Sequence, residues 1–439
     1  MDSTLETPEK IRNLQRKLYE KAKKEPDFRF YLLYDKVWRA DILRHAYDCA
    51  AANAGAPGVD GETFAQIEAA GVENWLARLG EELRTKTYQP QAVRRVMIPK
   101  PGGGERPLGI PTIRDRVAQT AAKLALEPIF EADMEPSAYG YRPKRGATEA
   151  IQEVMVLLRQ GYTDVVDADL SKYFDTIPHA DLMQSVARRI VDRDMLRLIK
   201  LWLQSPAPTT DENGVRRVEG GKCVKRGVPQ GGVVSPMLAN LYMNRFLKHW
   251  RRSGRGEAFQ ARVINYADDF VILSRGCAAE ALAWTDSVMT RLGLTLNRTK
   301  TRLCDARREQ FAFLGYSFGV HVYRPTGRRY LGASPSKKSV QRLNDKVSAM
   351  LTRSNVGKWP NVCQKLNSLI GGWAAYFSPG THSATDPVIE NHIYDRVRNF
   401  LVRRHKMPPR SIGPFTPAAV FGELGVARLR QCRRPGVLS

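Results

Sequence analysis

The sequence predicts an α+β chain: a ferredoxin-like antiparallel sheet backed by helices, entered through a helical lead-in and followed by a domain of helices alone. Three observations carry that expectation. Short apolar runs near residues 164–170 and 262–274 alternate with stretches of helical period. Carboxylates interrupt those runs at Asp169 and at Asp268-Asp269. Beyond Pro335 only the helical period remains.

Residues 1–90 read as mainly helical, broken by a turn at Gly55-Ala56-Pro57-Gly58-Val59-Asp60-Gly61. Val93 to Pro99 has strand character. Lys100-Pro101-Gly102-Gly103-Gly104-Glu105-Arg106-Pro107 is then a glycine-rich turn whose two cations can face phosphates. Ile151, Val154, Met155 and Leu158 share one helix face, Gly161 ends that helix, and Asp164 to Leu170 reads as a buried strand. A helix follows from about Ala180. The runs flanking Ala267-Asp268 predict a β-hairpin with an acidic tip, Leu282, Thr285, Met289 and Leu292 mark a helix, and a closing strand is expected near Leu294 to Leu303.

In the helical part, 334–406, Val340, Leu343, Val347 and Met350 form one stripe. Leu366, Leu369, Ile370, Trp373 and Phe377 form another. The aromatics there read as core, and Lys337, Lys338, Arg342, Arg353 and Lys358 as the groups that face a polyanion. The last stretch, 407–439, is rich in proline, glycine and arginine, including Arg428, Arg430, Arg433 and Arg434, and is expected to be a short basic, DNA-binding segment.

The charge supports such a partner. Lysine and arginine number 69 against 45 aspartates and glutamates, a net +24 over 439 residues, more than solubility asks for and spread along the chain. The six cysteines show no CxxC pair, which argues against structural zinc and disulfides. No apolar run approaches the roughly 20 residues of a membrane span, and the start, Met1-Asp2-Ser3, lacks a signal-peptide core, so a cytoplasmic protein without membrane contact is expected.

Tyr266-Ala267-Asp268-Asp269-Phe270 places two carboxylates between apolar runs, and Asp169 ends a neighbouring strand. Adjacent strands of one sheet can bring these groups together. Hard oxygen donors without histidine or cysteine favour magnesium, and two ions about 4 Å apart suit phosphoryl transfer. The plain alternative is that aspartates simply sit at a hairpin tip.

The wider constellation changes that balance. Asp169-Leu170-Ser171-Lys172-Tyr173-Phe174-Asp175 resembles the first catalytic motif of reverse transcriptases, and Tyr266 to Asp269 resembles their YxDD box. Further stretches resemble the group II intron proteins across nearly the whole chain: Ile98-Pro99-Lys100, Arg106-Pro107-Leu108-Gly109-Ile110-Pro111, Tyr139-Gly140-Tyr141-Arg142-Pro143, Gly227-Val228-Pro229-Gln230-Gly231-Gly232 and Gly371-Gly372-Trp373-Ala374-Ala375-Tyr376-Phe377. The resemblance is to a bacterial reverse transcriptase/maturase of the compact, endonuclease-lacking, class C-like kind.

That resemblance implies a right-hand polymerase: a helical extension and the start of the fingers in 1–90, fingers and palm in 91–333, and a helical thumb or maturase domain in 334–406. It implies two Mg2+ ions held by Asp169, Asp268, Asp269 and the carbonyl of Leu170. Lys100 and Arg106 would neutralise the triphosphate, Phe174 would exclude a ribose 2′-OH, and Gln230 and Gly231 would border the nucleotide. For Phe174 ordinary core packing is the rival reading. Lys300 would protonate pyrophosphate, with a solvated surface lysine as the rival. Asp167, on the same strand face as Asp169, would stand behind it. Phe313-Leu314-Gly315-Tyr316-Ser317 resembles the primer-grip element.

The implied partners are group II intron RNA, a DNA target or primer, deoxynucleoside triphosphates and a second copy of the chain in a homodimer. The implied activity is target-primed copying of intron RNA together with splicing assistance. Two other functions share the motifs: a host-adopted enzyme of DNA repair or defence, and a splicing cofactor with a vestigial polymerase pocket.

Overall fold

The structure, a computed structural model, describes residues 5–99, 104–210, 216–219, 221, 223–323, 326–405 and 415–433. The lead-in is helical as expected, with its longer helices at Glu9–Lys24, Ala40–Ala52 and Val72–Arg84. Two of these pack on the helix Ile113–Glu131, whose Ala118, Ala121, Ala122 and Ala125 are wholly buried. Alanine at those positions lets neighbouring helices approach closely, and burial on several sides removes the amphipathic stripe a surface helix shows. Ahead of that helix, β1 (Arg94–Pro99) and β2 (Glu105–Ile110) pair antiparallel with Ile98 opposite Arg106. The glycine-rich tip, including Lys100, lies outside the described residues.

The central sheet contains β3 (Asp164–Asp169), β6 (Ala261–Tyr266), β7 (Asp269–Ser274) and β8 (Arg302–Asp305). Their order is β6-β7-β3-β8 and every pairing is antiparallel. Taken in chain order, the first strand lies between the third and the fourth, which is the ferredoxin-like arrangement. Both faces are covered. Val166, Ala168, Val263, Phe270 and Ile272 join the large core toward the N-terminal helices, while Val165, Ile264, Val271 and Leu273 join a second core with the helix Ala147–Arg159. Two-sided burial is why these strands read as unbroken apolar runs instead of alternating ones.

Two features differ from expectation. The closing strand begins at Arg302, later than the run from Leu294 suggests; residues upstream of it turn instead, and Leu296 alone bridges to Leu170. Asn297 explains this: its carbonyl accepts from Lys300 N–H at 3.1 Å and Thr301 N–H at 2.7 Å, and its side chain accepts from Thr299. Such local bonds compete with a ladder. A separate sheet was also hidden, formed by β9 (Phe311–Phe313), β10 (Tyr316–Tyr323) and β11 (Arg328–Pro335) in the order β11-β10-β9. A smaller hairpin pairs β4 (Ala207–Thr210) with β5 (Arg216–Glu219).

Helices Lys337–Met350, Trp359–Tyr376 and Asp386–Arg404 build the third core through Leu343, Val347, Leu366, Ile370, Ile393 and Val397. Phe415, Val420, Val426 and Leu429 enter that same core, so the described part of the basic segment is folded into the helical domain. Arg428 pairs with Glu390 and Arg433 with Asp386. No helix among the described residues is long and apolar enough to cross a membrane.

Candidate active site

Because β3 and β7 are antiparallel neighbours, Asp169 at the end of one lies directly opposite Asp269 at the start of the other. Tyr266 closes β6 opposite the same Asp269, leaving Ala267 and Asp268 as a two-residue turn. Ala267 takes φ +60°, in the left-handed region. Asn265, nearly fully buried, holds that turn: its Nδ2 donates to the Ala267 carbonyl at 2.8 Å and to the Asp269 carbonyl at 3.4 Å. The turn is also braced from behind. Asn265 N–H donates to Ser137 O at 2.9 Å, and Tyr139 N–H donates to Asn265 O at 2.8 Å. A Cβ added at Gly140 would lie 2.6 Å from Ala267 N.

The apolar flanks are buried, whereas Asp268 and Asp269 themselves keep solvent access at the strand ends. Crowding by the surrounding protein, reinforced by Asp268, Asp169 and Asp167, pushes the Asp269 carboxyl up to about 6. Asp268 is raised by the same crowding and by Asp169, with Arg106 and Lys300 opposing. Asp167 is raised by burial even though Arg302 pairs with it at 3.1 Å. Four carboxylates concentrated this way favour binding a cation.

Asp169 is held by the turn that precedes β8. Its Oδ2 accepts from Asn297 Nδ2 at 3.0 Å and pairs with Lys300 Nζ at 3.2 Å. The Leu170 side chain is buried, and the bonds around its bridge are made by Ser171 N–H to Thr295 O and Asn297 N–H to Asp169 O, so the Leu170 carbonyl takes no part in them. Among the described residues no three acidic, histidine or cysteine side chains are drawn together closely enough to hold an ion. The register aligns the donors; their side chains have not converged.

The other sequence-predicted residues gather on one flank. Val228 N–H donates to Phe174 O at 2.7 Å, Gln230 Nε2 donates to Asp175 Oδ1 at 3.3 Å, and Gly109 N–H on β2 donates to Gln230 O at 2.7 Å. Gly231 takes φ +111°, and a Cβ there would meet Gly109 O at 2.2 Å, so the residue has to be glycine. Strand β2, which carries Arg106, is thereby fastened to the Pro-Gln-Gly turn and to the segment bearing Phe174. Phe174 is half-buried against the large core, edge-on to Tyr173 at 5.7 Å between ring centroids.

A reciprocal pair of tyrosine hydrogen bonds is among those that join the central region to the helical domain. Tyr316 OH donates to Tyr376 O and Tyr376 OH donates to Leu314 O, both at 2.8 Å, across the turn where Leu314 and Gly315 take φ +50° and +81°. Sequence reasoning missed Asn265, Gly140 and Asn297. A buried-strand asparagine just before a turn was the available signal for the first.

Comparison with known proteins agrees with this geometry. Residues 98–318 match the model of the reverse transcriptase (RNA-dependent DNA polymerase) family, and residues 340–412 match the group II intron maturase-specific domain. YkfC of Escherichia coli K12 is 36% identical over 367 residues, covering 75% of this chain and 93% of YkfC. The group II intron-encoded protein LtrA of Lactococcus lactis is 32% identical over 220 residues, 49% of this chain and 34% of LtrA. The COX1/OXI3 intron 1 protein of Saccharomyces cerevisiae is 27% identical over 296 residues, 56% of this chain and 34% of that protein.

Proposed function

Because the chain belongs to the reverse transcriptase family and carries the maturase-specific domain of group II intron proteins, we propose that it copies intron RNA into DNA from a DNA primer at a target site and binds the same RNA to assist splicing and mobility. The observation that carries the catalytic part is the register that sets Asp169 opposite Asp269, with Asp268 in the adjoining turn.

The donor set fits a hard divalent cation: oxygen atoms only, with Asp269 raised toward neutrality by burial and, after that, by the neighbouring carboxylates, and with Leu170 next in the chain to Asp169. Asp169, Asp268, Asp269 and the Leu170 carbonyl would hold two magnesium ions. Bound there, the ions would supply activation of the primer 3′-hydroxyl and neutralisation of charge on the departing pyrophosphate. The chain's own groups do the rest. Arg106, with Lys100, neutralises the triphosphate from the β1–β2 hairpin. Gln230 and Gly231 form the wall beside the nucleotide, and the half-exposed ring of Phe174 occupies the space a ribose 2′-OH would need. Lys300 is a proton donor whose ammonium already sits at the carboxylate cluster.

The test is primer extension on an RNA template with deoxynucleotides and magnesium, comparing wild type with the folded Asp268→Ala, Asp269→Ala double variant. Extension by wild type alone is expected. Absence of extension by folded wild type on several primer structures would overturn the polymerase assignment and leave the chain as an RNA-binding splicing cofactor.

A further inference from the structure

One short turn grips every polar atom of Asp169 that the sheet leaves over, save one carboxylate oxygen. Asn297 Nδ2 donates to Oδ2 at 3.0 Å, and Lys300 Nζ pairs with that same oxygen at 3.2 Å. Asn297 N–H donates to the Asp169 carbonyl at 2.8 Å, and the Thr301 hydroxyl accepts the Asp169 N–H at 3.3 Å. Asn297 is itself fixed, its Oδ1 accepting from Thr299 N–H at 3.2 Å and Thr299 Oγ1 at 2.8 Å. The Asn297 amide donates to Oδ2 and leaves Oδ1 of Asp169 without a bond from it.

The two groups on Oδ2 differ in kind. A carboxylate turns about a broad, two-fold torsion, so an unheld aspartate loses rotational freedom when a cation selects one oxygen. A neutral amide on the other oxygen settles that orientation beforehand without adding charge. An ammonium on it adds a positive charge that repels an arriving cation, and with Lys300 two-thirds exposed the repulsion is modest.

We propose that Asn297 is a positioning residue of the polymerase site: it keeps Oδ2 of Asp169 on the turn and reserves Oδ1 for the divalent cation, while Lys300 on the same oxygen is the resident counter-charge that the cation works against. The inference rests on the reading of Asp169 as a metal ligand. It assigns opposite effects to two neighbours of one atom, which a purely structural turn would not produce.

The experiment is titration of the nucleic-acid-free full chain with Mn2+, read as loss of the free-ion electron paramagnetic resonance signal. Wild type is compared with Asp169→Asn, Asn297→Ala, Asn297→Ser and Lys300→Met, each checked for folding by thermal melting. Asn297→Ala is expected to weaken Mn2+ binding by about tenfold or more, the usual cost of losing a group that orients a metal ligand. Asn297→Ser, which is too short to reach Asp169, matches it and serves if the alanine variant fails to fold. Lys300→Met tightens binding severalfold, more at low salt. In primer extension the asparagine variants need correspondingly more Mg2+ and recover most of kcat at saturation. Unchanged Mn2+ affinity in a folded Asn297 variant, or weakening in both the Asn297 and Lys300 variants, overturns the proposal. Unchanged affinity in Asp169→Asn overturns instead the ligand reading beneath it.

Discussion

Gly140→Ala tests whether the acidic turn is held from behind. Gly140 has an ordinary φ, so alanine there brings no backbone strain of its own, and the whole effect comes from one methyl group. That methyl would sit 2.6 Å from Ala267 N and 3.1 Å from Tyr266 C, both backbone atoms, which cannot rotate away. Restoring ordinary contact requires the two segments to separate by about 0.8 Å. The bonds that would resist are Asn240 Nδ2 to Gly140 O, Tyr139 N–H to Asn265 O, and Asn265 N–H to Ser137 O. Overpacking of this kind costs about 1–3 kcal/mol, which a chain of this size should survive folded. The catalytic cost is larger, because moving a reacting group by about 1 Å lowers rates by about a hundredfold. Single-turnover extension of a preformed primer–template should therefore show kcat down by roughly thirty- to a hundredfold, with template affinity nearly unchanged. A folded Gly140→Ala enzyme within twofold of wild type would refute the bracing argument.

Further outcomes follow from the geometry. Asp269, held up at about 6, must be ionised to bind a cation, so metal-dependent extension should fall as pH drops through about 6. The metal-free fold should change in the opposite sense. The folded-state pKa lies above the ordinary 3.8, so the fold binds that proton more tightly and its thermal midpoint rises as pH falls from above 6 toward 4; Asp269→Asn should reduce that rise to what Asp268 and Asp167 contribute, and an undiminished rise would assign it to other groups. Phe174→Ala should raise ribonucleotide incorporation by about a hundredfold in single-nucleotide extension, the order of discrimination that a pocket wall achieves against an added hydroxyl; unchanged discrimination would return Phe174 to the core. Tyr316→Phe, removing the donor to the Tyr376 carbonyl, should cost about 1 kcal/mol in urea unfolding and shorten products more than it raises the nucleotide KM. Replacing Lys337, Lys338 and Arg342 together by glutamine should make the log–log salt dependence of RNA binding shallower by about two, whereas Arg433→Gln should lower stability and leave that slope alone.

The central sheet was legible because two-sided burial gives long apolar runs, and the carboxylates stand out where they end those runs. Asp169, Asp268 and Asp269 were visible as chemistry before any packing was known. Asn265, Gly140 and Asn297 were not, because each acts through a neighbour distant in sequence: Gly140 against Ala267, Asn297 against Asp169. Nothing local to residue 140 reports that a turn presses on it. The late start of β8 was misread for a related reason. Leu294 and Leu296 are buried, yet only Leu296 makes an isolated bridge before the chain turns, and apolar spacing alone does not separate a strand from a short irregular segment lying against a core.

Basic composition is a still poorer guide to where nucleic acid binds, and the helical domain shows why. Arg428 and Arg433 belong to the stretch whose composition most suggests an appendage for DNA, yet both are spent on Glu390 and Asp386, and Leu429 between them is completely buried. They fasten the chain end to the helix Asp386–Arg404. Lys337, Lys338, Arg342, Arg353 and Lys358 attract less notice in the sequence, but all five are exposed and none pairs with a carboxylate among the described residues. A cation already matched to a protein carboxylate releases few counterions when a phosphate arrives, and a solvated one releases its own. On that count the five solvated cations at the start of the helical domain would contribute more to the electrostatics of RNA binding than the paired Arg428 and Arg433.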